Sequence, residues 1–360
     1  ALGDVLLLDG EFSRARGLFE QALNDSASND RLQQTRLLIR IARSHEREHR
    51  HELALDALDQ AAGKIGEGFD PASKAEMSEW INVRTARLWL CYWKGDVEGM
   101  THVIDEAQHI IEEHGSQTQK RNFFGGLAGL RNRQDRFVPS DETLEASNRA
   151  MQAALSSDNL IDRADGVFGT AFFYMLRNDL DRAGELMQQS LEFARRSGDR
   201  TLQARCLTYL AMLSRKMGRV DAVRSHGSRA LEVCEALGMD EYMAVIDACM
   251  CWVELSQGHS QDAETLALAA LDKWQKRAPG YPFKWLALFP LMQIALDRQT
   301  EVGPMIEHAR ILLDPANCGL KGTIENKLTD AVLAFEANDP ELARPLLVEA
   351  LEEAKQLAYL

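Results

Sequence analysis

Asn178-Asp179-Leu180-Asp181-Arg182-Ala183, followed by Ser190-Leu191 and Gly198-Asp199, is a pattern the chain writes twice. The second copy lies 40 residues on and reads Gly218-Arg219-Val220-Asp221-Ala222-Val223, Ala230-Leu231 and Gly238-Met239-Asp240. Each copy holds a turn, a helix with a small residue near its start and another one face later, and a second turn. The later small residue, usually followed by Leu, extends the register in both directions. It falls at Ala22, Ala61, Ala107, Ala150, Ser190, Ala230, Ala270, Ala309 and Ala350, at intervals of 39, 46, 43, 40, 40, 40, 39 and 41. Self-similarity at such a period marks a repeat array.

A turn precedes each marker: Gly10, near His49, Gly95, near Val138, Asn178, Gly218, Gly258, near Asp297 and Asn338. Gly or Asn followed by Asp suits a residue at positive φ closing one helix and a cap opening the next. Asp339-Pro340 adds Pro at a first helical position. Ser73-x-x-Glu76 reads as a capping box. Ahead of the turn a second small residue recurs at Gly3, Ala42, Ala171, Ala211, Cys251 and Ala331, with Leu88 as the exception. Small residues here let helix A of a repeat press on its own helix B. No stretch alternates polar and apolar as a strand would. The prediction is all-α: an α-solenoid, a right-handed superhelix of about nine helix-turn-helix repeats. It forms a single repeat domain over residues 1–360.

Composition agrees. At 360 residues a chain usually makes two or three globular domains, but in an array each unit packs only on its neighbours. Hydrophobic residues at 45% suffice for a continuous core. The net charge of -14 argues against nucleic acid and against anionic membrane surfaces. Six scattered cysteines form no C-x-x-C and read as small buried thiols of a reducing compartment, the cytoplasm. No apolar run is long enough to span a membrane. The chain lacks an initiator Met and opens within a helix, which reads as a fragment of a longer protein. Three irregular stretches, Gly63–Pro71, Gly115–Pro139 and Asp314–Thr323, read as sites of bending or local mobility.

The small residue, the Gly/Asn-Asp turn, the Ala and the Ala-Leu resemble the tetratricopeptide repeat. Arg195-Arg196-Ser197-Gly198-Asp199 through Leu202–Leu207 is similar to its longer variants. Those occur in the sensor region of the maltose regulator and similar signal-transduction ATPases, in kinesin light chains and in polarity scaffolds. HEAT arrays share the period; the helix-A small residue and the Gly-Asp turn favour the tetratricopeptide type. Val223 stands where Ala is usual.

The resemblance implies a concave face lined by A helices. Its ligand-contact positions fall here on Asn82, Asp165 and Arg205, then on Thr85, Phe168 and Thr208 with Tyr209 adjoining. The next rows are Trp89, Phe172, Met212 and Trp252, then Tyr92, Met175, Arg215 and Leu255. Exposed, the large apolar row would suit a peptide or an amphipathic helix; otherwise these side chains pack on the next A helix. Arg205 and Arg215 would clamp a carboxylate, or simply be solvated. Trp274, Tyr281, Phe283, Trp285 and Phe289 cluster before Pro290, which should kink its helix. They form either a pocket between repeats or local core.

One catalytic pattern appears. His45-Glu46-Arg47-Glu48-His49 fits H-E-x-x-H, in which two His one turn apart hold zinc and the Glu activates water. Cations flank it, it ends at the inter-helix turn, and no third ligand follows. The expected function is therefore binding without catalysis, cofactor or metal. The array takes a protein or peptide, or a small-molecule effector, and regulates a linked signalling or transcription module. A stand-alone scaffold is the alternative, and a zinc hydrolase through His45, Glu46 and His49 is the remote one.

Overall fold

A computed structural model describes residues 2–27 and 29–360. Among them there are eighteen helices and no strand. They run in nine pairs: α1 (Leu2–Asp9) and α2 (Phe12–Asn24), α3 (Arg31–Arg47) and α4 (His51–Gly66), α5 (Lys74–Lys94) and α6 (Val97–His114). Next come α7 (Gln117–Gln134) and α8 (Asp141–Leu155), α9 (Leu160–Leu176) and α10 (Leu180–Ser197), α11 (Arg200–Lys216) and α12 (Val220–Leu237). The last are α13 (Asp240–Ser256) and α14 (Ser260–Arg277), α15 (Trp285–Asp297) and α16 (Gly303–Leu313), α17 (Ile324–Glu336) and α18 (Pro340–Gln356). The tetratricopeptide-like α-solenoid read from the repeat is the fold.

Every pair turns on a residue in the left-handed region. Gly10, His49, Gly95, Phe137, Asn178, Gly218, Gly258, Gln299 and Asn338 all have positive φ, between 54° and 86°. At Gly95 the chain makes both bonds of a Schellman cap: Gly95 N–H donates to the Tyr92 carbonyl and Asp96 N–H to that of Cys91. Asp96 then caps α6 by accepting from Gly99 N–H. The capping box at Ser73 is only half made. Ser73 caps the Glu76 N–H, but the Glu76 carboxylate turns to Asp70 N–H and Arg31.

The marker residues are buried at eight of nine positions, and Ala22 is exposed. Helix α1 has eight residues and meets α2 where Gly3 lies against Phe19, while the last turn of α2 packs through Leu23. The glycines of α7 do not loosen it; α7 is one continuous helix. They are the counterpart of large residues on α5. A Cβ on Gly126 would lie 2.4 Å from Leu88 Cδ2, one on Gly125 3.2 Å from the Trp89 ring, and one on Gly129 3.0 Å from the Tyr92 ring. Leu88 breaks the small-residue rule because Gly126 makes the space for it.

The chain divides into two compact units. The first comprises Ala1–Gln134, Pro139–Phe173 and Gln189–Leu202; the second comprises Asp135–Val138, Tyr174–Gln188 and Gln203–Leu360. In the first, Ile65, Ile81, Leu88, Met100, Ile111 and Phe123 are fully buried. In the second, Trp274, Phe283, Phe289 and Met175 are. Trp274 stacks on Tyr281 and Phe283 meets Phe137 edge-on, so this aromatic cluster is mostly local core. Against expectation, the link 314–323 is pinned. Asn317 and Cys318 are buried, Cys318 N–H donates to the Pro282 carbonyl, and Gly319 N–H to that of Arg136. Unpaired backbone groups inside a protein are costly, so a buried link must find such partners.

Candidate functional site

In the first unit the A helices are joined by polar side chains. Arg36 of α3 pairs with Glu79 of α5 at 2.6 Å. The Glu79 carboxylate also accepts from the Asn82 amide at 2.9 Å, and the Asn82 carbonyl oxygen accepts from Gln119 of α7 at 2.8 Å. Arg121 of α7 pairs with Asp162 at 2.8 Å and Asp165 at 3.3 Å, both on α9. Asp162, buried, also accepts from Thr118 and from Ser157. The rungs hold neighbouring A helices in register, as paired buried polar groups must be to avoid a desolvation penalty.

Arg43 of α3 is different. It is exposed, yet protein walls lower its pKa by restricting hydration of the charge, and the cations Arg47 and Arg121 push the same way. Asp165 and Glu46 oppose them. A side chain on α3 that feels charges on α7 and α9 stands on the face those helices share. The residue as a whole is exposed, so solvent reaches the side chain on that face. It forms no ion pair among the described residues.

The predicted contact residues of this unit lie on or beside the same rungs. Asn82 and Asp165 are half-buried rungs. Trp89 is half-buried against α7, where its Nε1 donates to the Asn122 carbonyl at 3.1 Å. Tyr92 meets Trp89 edge-on and carries the Arg133 guanidinium over its ring. Phe168 and Phe172 are buried. The contact rows implied by the resemblance include no residue of α3 or α7, so Arg43, Arg121 and Gln119 are not among the sequence candidates.

In the second unit Tyr209, Met212 and Arg215 of α11 are buried, while Arg205 and Trp252 remain half-buried. Arg215 does not face open solvent as a carboxylate clamp would. One of its terminal nitrogens donates to the carbonyls of Ala248 at 2.9 Å and Leu286 at 2.8 Å, and the other to that of Tyr359 at 3.0 Å. The sequence explains the Leu286 contact. Pro290, four residues on within α15, has no N–H, so the Leu286 carbonyl lacks its helical donor. Arg215 replaces it.

Beside Arg215 is a cavity of about 20 Å³, enough for roughly one water-sized group. It is lined by Asn178, Met212, Lys216, Trp285, Lys321 and Tyr359, among others. Lys216 donates to the Ala358 carbonyl at 3.2 Å and lies 5.3 Å from the Trp285 ring centre. Burial first, then the charges of Lys321 and Arg215, lower its pKa to about 7. Cys318 also lines the cavity, but burial raises its thiol to about 12, which leaves it protonated and a poor nucleophile. All six cysteines are buried and free.

The lowered Lys216 pKa sets a pH dependence. The unfolded chain holds this proton up to the ordinary lysine range, whereas the folded chain gives it up near 7, so stability rises with pH between the two. Lys216→Met abolishes the dependence. We expect Lys216→Met to be stabilising relative to the parent at pH 6, by a margin that narrows steadily towards pH 10. Thermal unfolding across about that range checks it, and a margin independent of pH would refute the assignment.

His45-Glu46-Arg47-Glu48-His49 does not have the geometry of a zinc helix. Helix α3 ends at Arg47, and His49 takes φ 57° in the turn, so the two His are not one helical turn apart. Among the described residues, the acidic and His side chains close enough to share an ion are Glu254, His259 and Asp262 instead, partly or fully exposed.

The fold is a tetratricopeptide-like α-solenoid. No family model matches the chain. No curated protein matches it in sequence. Solved structures do. A Rap protein complexed with competence and sporulation factor is 13% identical with a TM-score of 0.63, over 91% of this chain and 88% of that one. NprR in complex with its cognate peptide NprX is 12% identical with a TM-score of 0.58, over 98% and 97%. The third is a Signal Transduction ATPase with Numerous Domains protein with a tetratricopeptide repeat sensor, from Pyrococcus horikoshii. It is 11% identical with a TM-score of 0.51, over 94% of this chain and 55% of that one. At such identities the likeness is one of fold. Among the described residues no helix is long and apolar enough to cross a membrane.

Proposed function

We propose that this chain is a non-catalytic peptide sensor of the cell interior. It takes an extended peptide or protein segment along its A-helix faces and passes the bound state to a linked signalling or transcription module. The observation that carries this reading is Arg43, an exposed cation that forms no ion pair among the described residues, on a face where neighbouring A helices are joined by polar pairs. Such a group offers a charge-assisted hydrogen bond to an incoming carboxylate or carbonyl. Asn82, Trp89 and Tyr92 on α5 supply amide and aromatic contacts of the kind that read a peptide backbone and its side chains, with Asp165 on α9 beside them. Two proteins of similar fold carry bound peptides in their structures, which supports the same use here.

A library of short random peptides selected on the immobilised chain tests the reading. Selected peptides are expected to be acidic, and Arg43→Ala should weaken them about tenfold, the worth of one charged hydrogen bond, at an unchanged melting temperature. A selection that returns no binder, or binders indifferent to Arg43→Ala and Trp89→Ala alike, would reject it.

A further inference from the structure

The cavity beside α11 has a chemistry that the A-helix face of the first unit lacks. Two lysines, Lys216 and Lys321, are among its lining residues together with Asn178, and no Asp or Glu is. Acids of the adjoining segments are already engaged. Glu325 holds Arg136 and the Leu320 N–H, and Glu353 holds Lys327 and the Thr323 N–H. Many other cations of this chain, with its net charge of -14, meet an acid, as at Arg16–Glu48 and Lys94–Glu52. Here no acid lines the space.

The donors are also underused. Lys216 gives one hydrogen bond, to Ala358, out of the three an ammonium can make. The Lys321 ammonium forms no hydrogen bond or ion pair among the described residues, and the Asn178 amide reaches the Leu357 carbonyl only at 3.5 Å. The Met212, Trp285 and Tyr359 side chains wall the space with apolar surface, where opposite charges attract more strongly than in water.

We propose that this cavity is a carboxylate-binding site, in which one carboxylate oxygen enters between Lys216 and Lys321 and accepts from the Asn178 amide. The space admits about one carboxylate oxygen, so the remainder of a ligand stays outside. A carboxylate can come from the end of a peptide or from a small free acid. The site stands on its own donors, whether or not a peptide runs along the A-helix faces.

Lysine reactivity in the intact chain tests this directly. Reductive methylation at neutral pH, read residue by residue by mass spectrometry, should find Lys216 among the fastest lysines, because its amine is partly unprotonated there. Acetate should slow Lys216 severalfold against chloride at equal ionic strength, and Lys321→Gln should remove that protection without changing the melting temperature. Acetate no better than chloride, or full protection in Lys321→Gln, overturns the proposal. N-acetyl-leucine and its neutral amide separate the sources. Protection by the acid at lower concentration than acetate supports a peptide terminus, and protection by acetate alone supports a small free acid. Equal protection by the amide overturns the site, since no carboxylate would then be read. Acetate protection in a chain that selects no library peptide would remove the sensor reading and leave this one intact.

Discussion

Arg215→Met is expected to lower the unfolding free energy by about 2–4 kcal/mol. Three carbonyls lose a charged donor, each such bond being worth roughly 1.5–3 kcal/mol. Against that, a guanidinium that is 3% exposed and faces no carboxylate no longer has to be desolvated, which returns part of the loss. The carbonyl of Leu286 decides the balance, because Pro290 denies it a helical donor. Arg215→Lys should fall between parent and Met, since a compact ammonium cannot span three acceptors on different segments. Adding Pro290→Ala to Arg215→Met should recover about 1 kcal/mol by restoring the missing N–H, and the same change in the parent should give less. Urea unfolding of the four chains measures the coupling. A melting temperature for Arg215→Met at or above that of the parent would show that desolvation dominates and that the carbonyls find other donors.

Gly126→Val should cost about 3 kcal/mol, near the top of the range for overpacking a core. The first added carbon would lie 2.4 Å from Leu88 Cδ2 and 2.7 Å from its Cγ, and Leu88 is fully buried with nowhere to swing. Leu88→Ala in the same chain opens the space and should rescue part of the loss, although Leu88→Ala alone destabilises by leaving a void. The sign of the interaction is the test: if Leu88→Ala and Gly126→Val add without rescue, the two do not share the space.

Most of the architecture was legible because the repeat is written in residues whose roles are local. A residue at positive φ must be Gly, Asn or something strained, and a close helix crossing must be small, so both leave marks in the sequence whatever the partner. The misreadings share one cause. Gly125, Gly126 and Gly129 looked like flexibility because a glycine in a helix says nothing by itself about the large residue facing it. Leu88 looked like a defect for the complementary reason. The 314–323 link looked loose, but its hydrogen bonds go to Arg136 and Pro282, far away in the sequence. The site follows the same division. Asn82, Trp89 and Asp165 were candidates through the resemblance, and the structure puts them on or beside one set of rungs. Arg215 was found but misassigned, since its acceptors belong to Ala248, Leu286 and Tyr359, and backbone carbonyls have no signature in a sequence. The lysine cavity had no local mark at all.

The bond from Arg215 to the Tyr359 carbonyl joins positions 144 residues apart. A linear array holds each repeat only by its neighbours, so its last helices fray first and at little cost. In the second unit the segment after α18 is tied to α11, α13 and α15 through one guanidinium, and Tyr359 packs on Trp285 and Phe289. Releasing that segment strips donors from three carbonyls at once. The unit should therefore melt as one cooperative block, and amide protons at its C-terminal edge are expected to exchange with solvent as slowly as those of its middle.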